Sequence, residues 1–499
     1  MSEEPIYKRG RNLTSESGFR IFGADAAEDD PNLKEYFMET STWERVMAGH
    51  TLLVLGRKGS GKSAIFRSLT ERTIPNTTVV PITPRTFALD ILNTFKTKYP
   101  DSPFNQEIAY ATAWRYSLML ELLLAIENST GNLKFGGEAG VHEWLRKNIE
   151  FDTDIISKTV AFLEKWTLNK VSLSQLTVEL SKSGKRGPLV GHDIDQTFFD
   201  IQDALDKKKY LLIIDNLDEG WINKQESRTY LVGLVLAAKE LSRLENLNVC
   251  IFMRTDMFRV LETTYQHMDK FRQSIDYIKW SPTSLRRLIS LRIQRYFGIK
   301  DESNDVTWRR LFDEKMENGF ETYKHITERT FLRPREIIQF CRHAVDIAAK
   351  YKKPKVEPKD IRTAEIEYAD WKLNDLSGEY SAYYNNTEDL LECFRRTVPE
   401  LTMAELQQTT EDAIKSCEFS SVDNDQKKVT VDNVIKLIYQ MGFIRAKVRN
   451  HQGRWKYITS TTEPNLICST IAHWDIHPAF RSKLVIKGQS GQTPLHPTR

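Results

Sequence analysis

The sequence predicts an α/β fold built on a parallel sheet of five strands, and three stretches predict it. "TLLVLGRKGSGKSAIF" runs from an apolar segment through glycines into an amphipathic one, while "KKKYLLIIDNLDEGW" and "LNVCIFMRTDMF" each end an apolar run in charged residues. Unbroken apolar runs of this length suit strands buried on both faces, and charges at their carboxyl ends lie where open parallel sheets gather ligands. "TTVVPI" and "SIDYIKW" supply the remaining two, so the strands begin near Thr51, Thr77, Tyr210, Asn248 and Ser274.

The first strand leads into GxxxxGK[ST], Gly56 to Ser63, and then into a helix at "SAIFRSLTERT". Strand, loop and helix in that order let backbone amides wrap phosphates at a helix N-terminus. Gly56, Gly59 and Gly61 free the backbone to turn; Arg57, Lys58, Ser60 and Ala64 complete the loop. Lys62 is expected on the β and γ phosphates and Ser63 on Mg²⁺, which makes ATP and Mg²⁺ the expected ligands. A glycine-rich turn that binds nothing is the other reading.

Such a loop needs a carboxylate across from it, and Asp215, at the end of "YLLII", is assigned to the metal shell. Asp218 and Glu219 follow, and either can orient or deprotonate the attacking water, while capping the next helix is the competing reading and is expected of one of the two. Arg254 ends the "VCIFM" run as a candidate γ-phosphate sensor, with a salt bridge to Asp256 or to an acid of "DNLDEG" as the alternative.

On these motifs, and on "FLRPREIIQFCRHAV" farther along, the chain resembles ATPases of the division that includes AAA+ proteins and STAND switch ATPases. In detail it looks like bacterial STAND-like P-loop ATPases with an "FGADAAEDD"-type leader and a short C-terminal winged helix, several of which occur in defence-associated or regulatory loci. The resemblance implies an additional strand, ending at Arg254, between the phosphate-loop strand and the acidic strand. It also implies a helical lid in which Arg333 or Arg335 approaches the nucleotide, and a leader near the adenine. One residue departs: AAA+ enzymes usually carry Glu directly after the metal-site Asp, and here it is Asn216.

Four segments follow: a leader over 1–48, a P-loop core over 49–280 with a helical insertion at about 100–205, a lid over 281–373 and a winged helix over 374–499. The insertion is expected because far more chain separates the second and third strands than one crossover helix needs. "EIAYATAWRYSLMLELLLAIENSTGN" and "DTDIISKTVAFLEKW" read as its helices and "SKSGKRGPLVGHD" as an exposed loop. In the leader, Asp25, Glu28, Asp29 and Asp30 read as a solvated acidic turn before an amphipathic helix. "DLSGEYSAYYNN" reads as a polar break near Asn374.

After that break, "TMAELQQTTEDAI" and "TVDNVIKLIYQMGF" read as helices and "FIRAKVRNHQGRWKYIT" as a hairpin, the order of a winged helix. With "NHQG" as the turn, alternation places Ile444, Ala446, Val448, Trp455 and Tyr457 on one face. Arg445, Lys447, Arg449, Arg454 and Lys456 then share the other, with Arg449 opposite Arg454 and Lys447 opposite Lys456. Like charges set opposite one another favour an anionic partner, so these five are candidate nucleic-acid contacts; a solvated edge guarded by cations competes. In "HWDIHPAF", His473, Asp475 and His477 lack a further ligand for a metal site and read as packing.

Composition sets the outer limits. At 499 residues, two or three domains are expected. The net charge of +3 gives no field for steering polyanions, so nucleic-acid contact must come from a local patch. The 5 cysteines are scattered without a CxxC pair, as expected of reduced thiols in a cytoplasmic setting. No secretory signal opens "MSEEPIYKRGRN", and the most apolar stretch, "LMLELLLAI", is too short to span a membrane. The expected function is a STAND-like switch that binds and hydrolyses Mg-ATP and signals to a protein partner, an effector or further copies of itself. A nucleic-acid-binding ATPase of the origin-recognition or loader type is the alternative. A small-molecule kinase is disfavoured, because no acceptor-binding feature is visible.

Overall fold

The computed structural model describes residues 12–84, 106–130, 205, 208–219, 221, 223–381, 383–422 and 429–486. The chain divides into two compact units, one of residues 37–279 and one that joins 1–36 to 280–499.

In the 37–279 unit, helix α3 (Ser41–Met47) leads into β1 (Leu53–Gly56), the loop and α4 (Lys62–Glu71). Next come β2 (Thr77–Ile82), α5 (Gln106–Thr130), β3 (Lys209–Ile214), α6 (Gln225–Leu241), β4 (Leu247–Arg254), α7 (Thr255–Thr264) and β5 (Ile275–Tyr277). All the strands are parallel, in the order β2-β3-β4-β1-β5. The five expected strands are therefore present, and β4 lies between the phosphate-loop strand and the acidic strand as the resemblance implied. Both faces are covered. Val54, Leu211, Ile213, Cys250 and Phe252 pack with Val46, Ile65 and Leu69, while Leu53, Leu55, Leu212, Ile214, Ile251 and Met253 pack with α5, α6 and α7. Burial on both sides is why these strands read as continuous apolar runs rather than alternating ones. Helix α5 is anchored by the Trp114 indole, which donates to the Tyr230 carbonyl at 3.1 Å. The second expected insertion helix and the "SKSGKRG" loop lie outside the described residues.

In the other unit, the leader forms α1 (Ser17–Phe22) and α2 (Leu33–Tyr36). Its acids are not all solvated. Glu28 and Asp29 are exposed, but Asp30 is buried, accepts the Tyr36 hydroxyl at 2.5 and 2.6 Å, and pairs with Arg292 at 3.1 Å. Asp25 pairs with Arg342 at 2.8 Å and accepts from Gln339 at 3.1 Å. The expectation of a solvated turn fails because the neutralising arginines lie hundreds of residues downstream and a buried carboxylate is retained only with such partners.

The following helices are α8 (Pro282–Phe297), α9 (Asn304–Leu311), α10 (Thr322–Glu328), α11 (Pro334–Lys350) and α12 (Pro358–Tyr380). The polar stretch read as a break near Asn374 stays helical to Tyr380. Glu357 and Asp360 form a capping box at its start, and buried Leu373 and Leu376 hold its last turns against Gly378, which costs a helix only about 1 kcal/mol. On α12, Glu365 accepts from His325 and Ser482 and pairs with Arg329, each at 2.8 Å. Burial alone pushes this carboxyl up, but Arg329 and His325 more than offset it and hold it at about 2, against 4.5 for a free side chain. A depressed carboxyl contributes stability above its unfolded value and loses it as pH falls through the folded one. Glu365→Gln should therefore lower stability at pH 7 by roughly 3 kcal/mol. In denaturant titrations that gap should close between pH 4.5 and about 2; a constant gap would rule out the linkage.

The chain then forms β6 (Tyr384–Asn385), α13 (Thr387–Glu392), β7 (Glu400–Thr402), α14 (Met403–Cys417), β8 (Ser420–Ser421) and α15 (Val431–Met441). It ends in β9 (Ile444–Arg449), β10 (Trp455–Ile458), β11 (His473–Ile476) and α16 (Pro478–Arg481). The antiparallel order is β10-β9-β11-β7, and β6 pairs with β8. The expected helices and hairpin are present, but the hairpin's facing is not as expected. Arg449 lies opposite Trp455 and Lys447 opposite Tyr457, so five residues, 450–454, make the connection. Lengthening the turn from four residues to five flips every β10 side chain to the other face. Trp455 and Tyr457 thus share a face with Arg445, Lys447 and Arg449, while Lys456 joins the side of Ile444, Ala446 and Val448.

Candidate functional site

Three strand ends converge in the 37–279 unit. β1 ends at Gly56, its register partner on β4 is Arg254, and β3, on the other side of β4, ends just before Asp215. Adjacent parallel strands, about 4.8 Å apart, thus bring three distant sequence segments to one rim of the sheet.

The loop has the conformation its glycines permit. Gly61 caps α4 with φ +99°, where other residues are strained. A Cβ on Gly56 would lie 2.2 Å from the Ser60 hydroxyl. Helix α4 begins at Lys62, so the amides of its first turn have no carbonyl partners within the helix. Lys62 is buried, and its ammonium donates to the carbonyls of Gly56 at 3.1 Å and Arg57 at 3.4 Å. Burial pulls its pKa below the usual lysine range; Asp218 and then Asp215 oppose that shift. Arg57 and Ala64 are half-buried and Lys58 is exposed.

Asp215 is buried, and desolvation pushes its carboxyl up to about 6 despite hydrogen bonds from the Asn216 backbone and the Ser63 side chain and the charge of Lys62. The two residues assigned to the metal shell, Ser63 and Asp215, are therefore neighbours. A buried carboxylate beside a hydroxyl offers oxygen donors of the kind a hard divalent ion takes, and the Lys62 ammonium next to them suits phosphate oxygens.

The two acids after it are not equivalent. Asp218 is half-buried, is the foremost charge acting on Lys62, and lies 3.7 Å from Arg254. Glu219 is exposed and accepts from the Asn216 amide. Asn216 has φ +67°, a left-handed conformation that asparagine tolerates better than most residues. Nothing in the spacing signals this Asn216–Glu219 contact. Arg254 makes a two-point pair with Asp256, Nε at 3.0 Å and Nη2 at 2.8 Å, so both acids proposed as its salt-bridge partners adjoin it.

The lid arginines lie in the other unit. Arg333 is buried, 3.5 Å from both Glu336 and Glu379, and Glu336 is also held by Lys372 at 2.7 Å. Arg335 is half-buried and donates from Nε to the Asp25 carbonyl at 3.3 Å. Among the basic hairpin residues, Arg445 pairs with Asp475 at 2.5 Å and Lys447 with Glu400 at 2.6 Å. Arg449, Arg454 and Lys456 are exposed and form no ion pair among the described residues. Asp475 also takes Arg481, His477 accepts the Ala479 amide at 3.2 Å, and His473 is exposed beside Trp455. No helix among the described residues is long and apolar enough to cross a membrane.

Gly56 to Ser63 at the end of β1, with Asp215 at the end of β3 and one strand between them, is the arrangement of a P-loop NTPase of the additional-strand kind. A family model described as the FunZ-associated C-terminal helical domain matches residues 283–377, the stretch from α8 into α12. A transposon gamma-delta 80.3 kDa protein of Escherichia coli (strain K12) is 23% identical over 469 residues. That alignment takes in 89% of this chain and 64% of the relative, so the chain spans just under two thirds of that protein's length. Among solved structures, the Aeropyrum pernix ORC1 protein in complex with DNA is similar at 11% identity and a TM-score of 0.34, covering 89% of this chain and 92% of its own. The Aeropyrum pernix ORC2 protein is similar at 10% identity and a TM-score of 0.36, covering 97% and 96%. Cdc6p from Pyrobaculum aerophilum is similar at 12% identity and a TM-score of 0.31, covering 91% and 98%.

Proposed function

We propose that the 37–279 unit binds ATP with Mg²⁺ and hydrolyses it slowly, as a STAND-like switch whose state is read out by the unit that contains the leader, the lid helices and the C-terminal sheet. One observation carries this reading: buried Lys62, the Ser63–Asp215 contact, Asp218 and Arg254 converge at adjacent strand ends. In this reading Lys62 and the loop amides hold the β and γ phosphates, and Ser63 and Asp215 would hold Mg²⁺, which would supply charge neutralisation. Asp218 accepts a proton from the attacking water. Arg254, held by Asp256 and beside Asp218, turns to the γ-phosphate, so the nucleotide competes with an existing ion pair. That competition gives the site two charge arrangements, as a switch requires.

The C-terminal helices and hairpin are proposed as a winged helix that passes this state to a protein partner, an effector or another copy of the chain, in a defence or regulatory setting. The alternative of a nucleic-acid-binding ATPase of the origin-recognition or loader type is favoured by one observation, the cation-rich hairpin. ATP turnover by the purified protein, alone and with single- and double-stranded DNA and RNA at low and physiological salt, separates the two. Slow turnover with retained nucleotide, at a rate that nucleic acid does not change, supports the switch. Stimulation that weakens steeply with salt supports the alternative, and absence of ATP binding defeats both.

A further inference from the structure

The five-residue turn gives the hairpin an outer face that strict alternation around a four-residue turn would not. Arg449 lies opposite Trp455, Lys447 lies between Tyr457 on β10 and His473 on β11, and Arg445 lies on the same face. Trp455 is 46% exposed and Tyr457 38%, so both rings reach solvent on this face. The ammonium of Lys447 lies 4.6 Å and the guanidinium of Arg449 4.7 Å from the Trp455 ring centre, and the Arg445 guanidinium lies 3.9 Å from that of Tyr457. Exposed aromatics are thus interleaved with cations, of which Arg449, with Arg454 at the turn, has no acidic partner among the described residues.

The helices beside this sheet carry no such excess of cations. Helix α14 presents Glu405, Glu411 and Asp412 against one lysine, Lys415, which is already paired with Glu411 at 2.7 Å; α15 presents Asp432 against Lys436. A helix that enters the major groove of a duplex needs net positive charge along the inserted face. Neither helix has it. The cations instead accompany the aromatic rings on the strands, as suits a ligand with exposed bases and a phosphate backbone.

We propose that the outer face of β9 and β10, with Trp455 and Tyr457 as stacking surfaces and Arg449 and Arg454 on the phosphates, binds single-stranded nucleic acid. Lys447 and Arg445, neutralised by Glu400 and Asp475, act as props beneath the rings rather than as phosphate contacts. This partner goes beyond the nucleotide reading and does not rest on it, since every residue involved belongs to the C-terminal hairpin.

The test uses fluorescence anisotropy on the full chain with labelled single-stranded DNA and RNA of about 20 nucleotides, the corresponding DNA duplex and poly-glutamate. Single strands should bind more tightly than the duplex. Trp455→Ala should weaken single-strand binding about tenfold or more and leave the salt slope unchanged, whereas Trp455→Phe should retain most of the affinity. Arg449→Ala with Arg454→Ala should reduce that slope by about two phosphate contacts. Comparison of the DNA and RNA strands identifies which sugar is preferred. Duplex binding as tight as single-strand binding, poly-glutamate binding as tight as either, or affinity unchanged in Trp455→Ala would each overturn the proposal. Because Trp455 is exposed, its replacement should leave the thermal midpoint in place. Single-strand binding retained in Lys62→Ala keeps this test separate from that of the nucleotide site.

Discussion

Lys62→Ala is expected to abolish ATP binding, with affinity falling by about 100-fold or more. The ammonium is buried and already donates to two loop carbonyls, Gly56 and Arg57, so its position is set before any ligand arrives. Burial penalises its charge, and Asp218 and Asp215 only partly restore it; a phosphate in the loop would complete that compensation. A charge-assisted hydrogen bond to a phosphate contributes roughly 1.5–3 kcal/mol, and two such bonds correspond to about 10²- to 10⁴-fold in affinity. The protein without nucleotide should remain folded, because removing one buried cation leaves the apolar packing of α4 through Ile65 and Leu69 intact. Titration with a fluorescent ATP analogue, alongside thermal melts with and without Mg-ATP, reads both effects. The native protein should gain stability with nucleotide and the variant should not. Equal ATP affinity in the two proteins would refute the phosphate-loop reading itself.

What the sequence disclosed about this site follows from how local each feature is. The loop's conformation was legible because the glycines that set it lie within the eight residues from Gly56 to Ser63, and the place of Asp215 at a strand end because a carboxylate ends an apolar run. The position of β4 between β1 and β3 came from resemblance, since no spacing rule orders parallel strands. Long-range charge pairing was not legible: Asp30 is neutralised by Arg292, 262 residues away, and nothing near Asp30 announces it. The hairpin shows how small the missing information can be. Its strands, turn and cations were readable, but whether four or five residues make the turn decides which face carries Trp455 and Tyr457. The unequal environments of Asp218 and Glu219 were equally hidden, because they depend on the left-handed Asn216 and on a strand neighbour, Arg254, that joins the site only through the sheet.

That inequality leads to the second large effect. Asp218→Asn should lower the turnover number by about 10²- to 10³-fold while ATP affinity changes only a few-fold, whereas Glu219→Gln should retain activity within about threefold. Asp218 is the foremost charge acting on Lys62 and lies 3.7 Å from Arg254. Glu219 is exposed and tied to Asn216. Arg254→Ala should also reduce turnover by about 10²- to 10³-fold, because a positioned arginine acts on charge that develops during phosphoryl transfer. The two sites should not be independent. If Arg254 exchanges Asp218 for phosphate during the cycle, removing Asp218 alters the ion pair as well as the base, and the double variant should be less impaired than the product of the single effects. Steady-state ATPase assays on the three single variants and the double variant measure this coupling, with nucleotide affinity determined separately for each. A reversed order, with Glu219→Gln silent in binding but inactive in turnover, would move the base to Glu219 and make Asn216 the residue that positions it. Additive losses at Asp218 and Arg254 would instead mean that their ion pair takes no part in the cycle, and the competition proposed for the switch would rest on Asp256 alone.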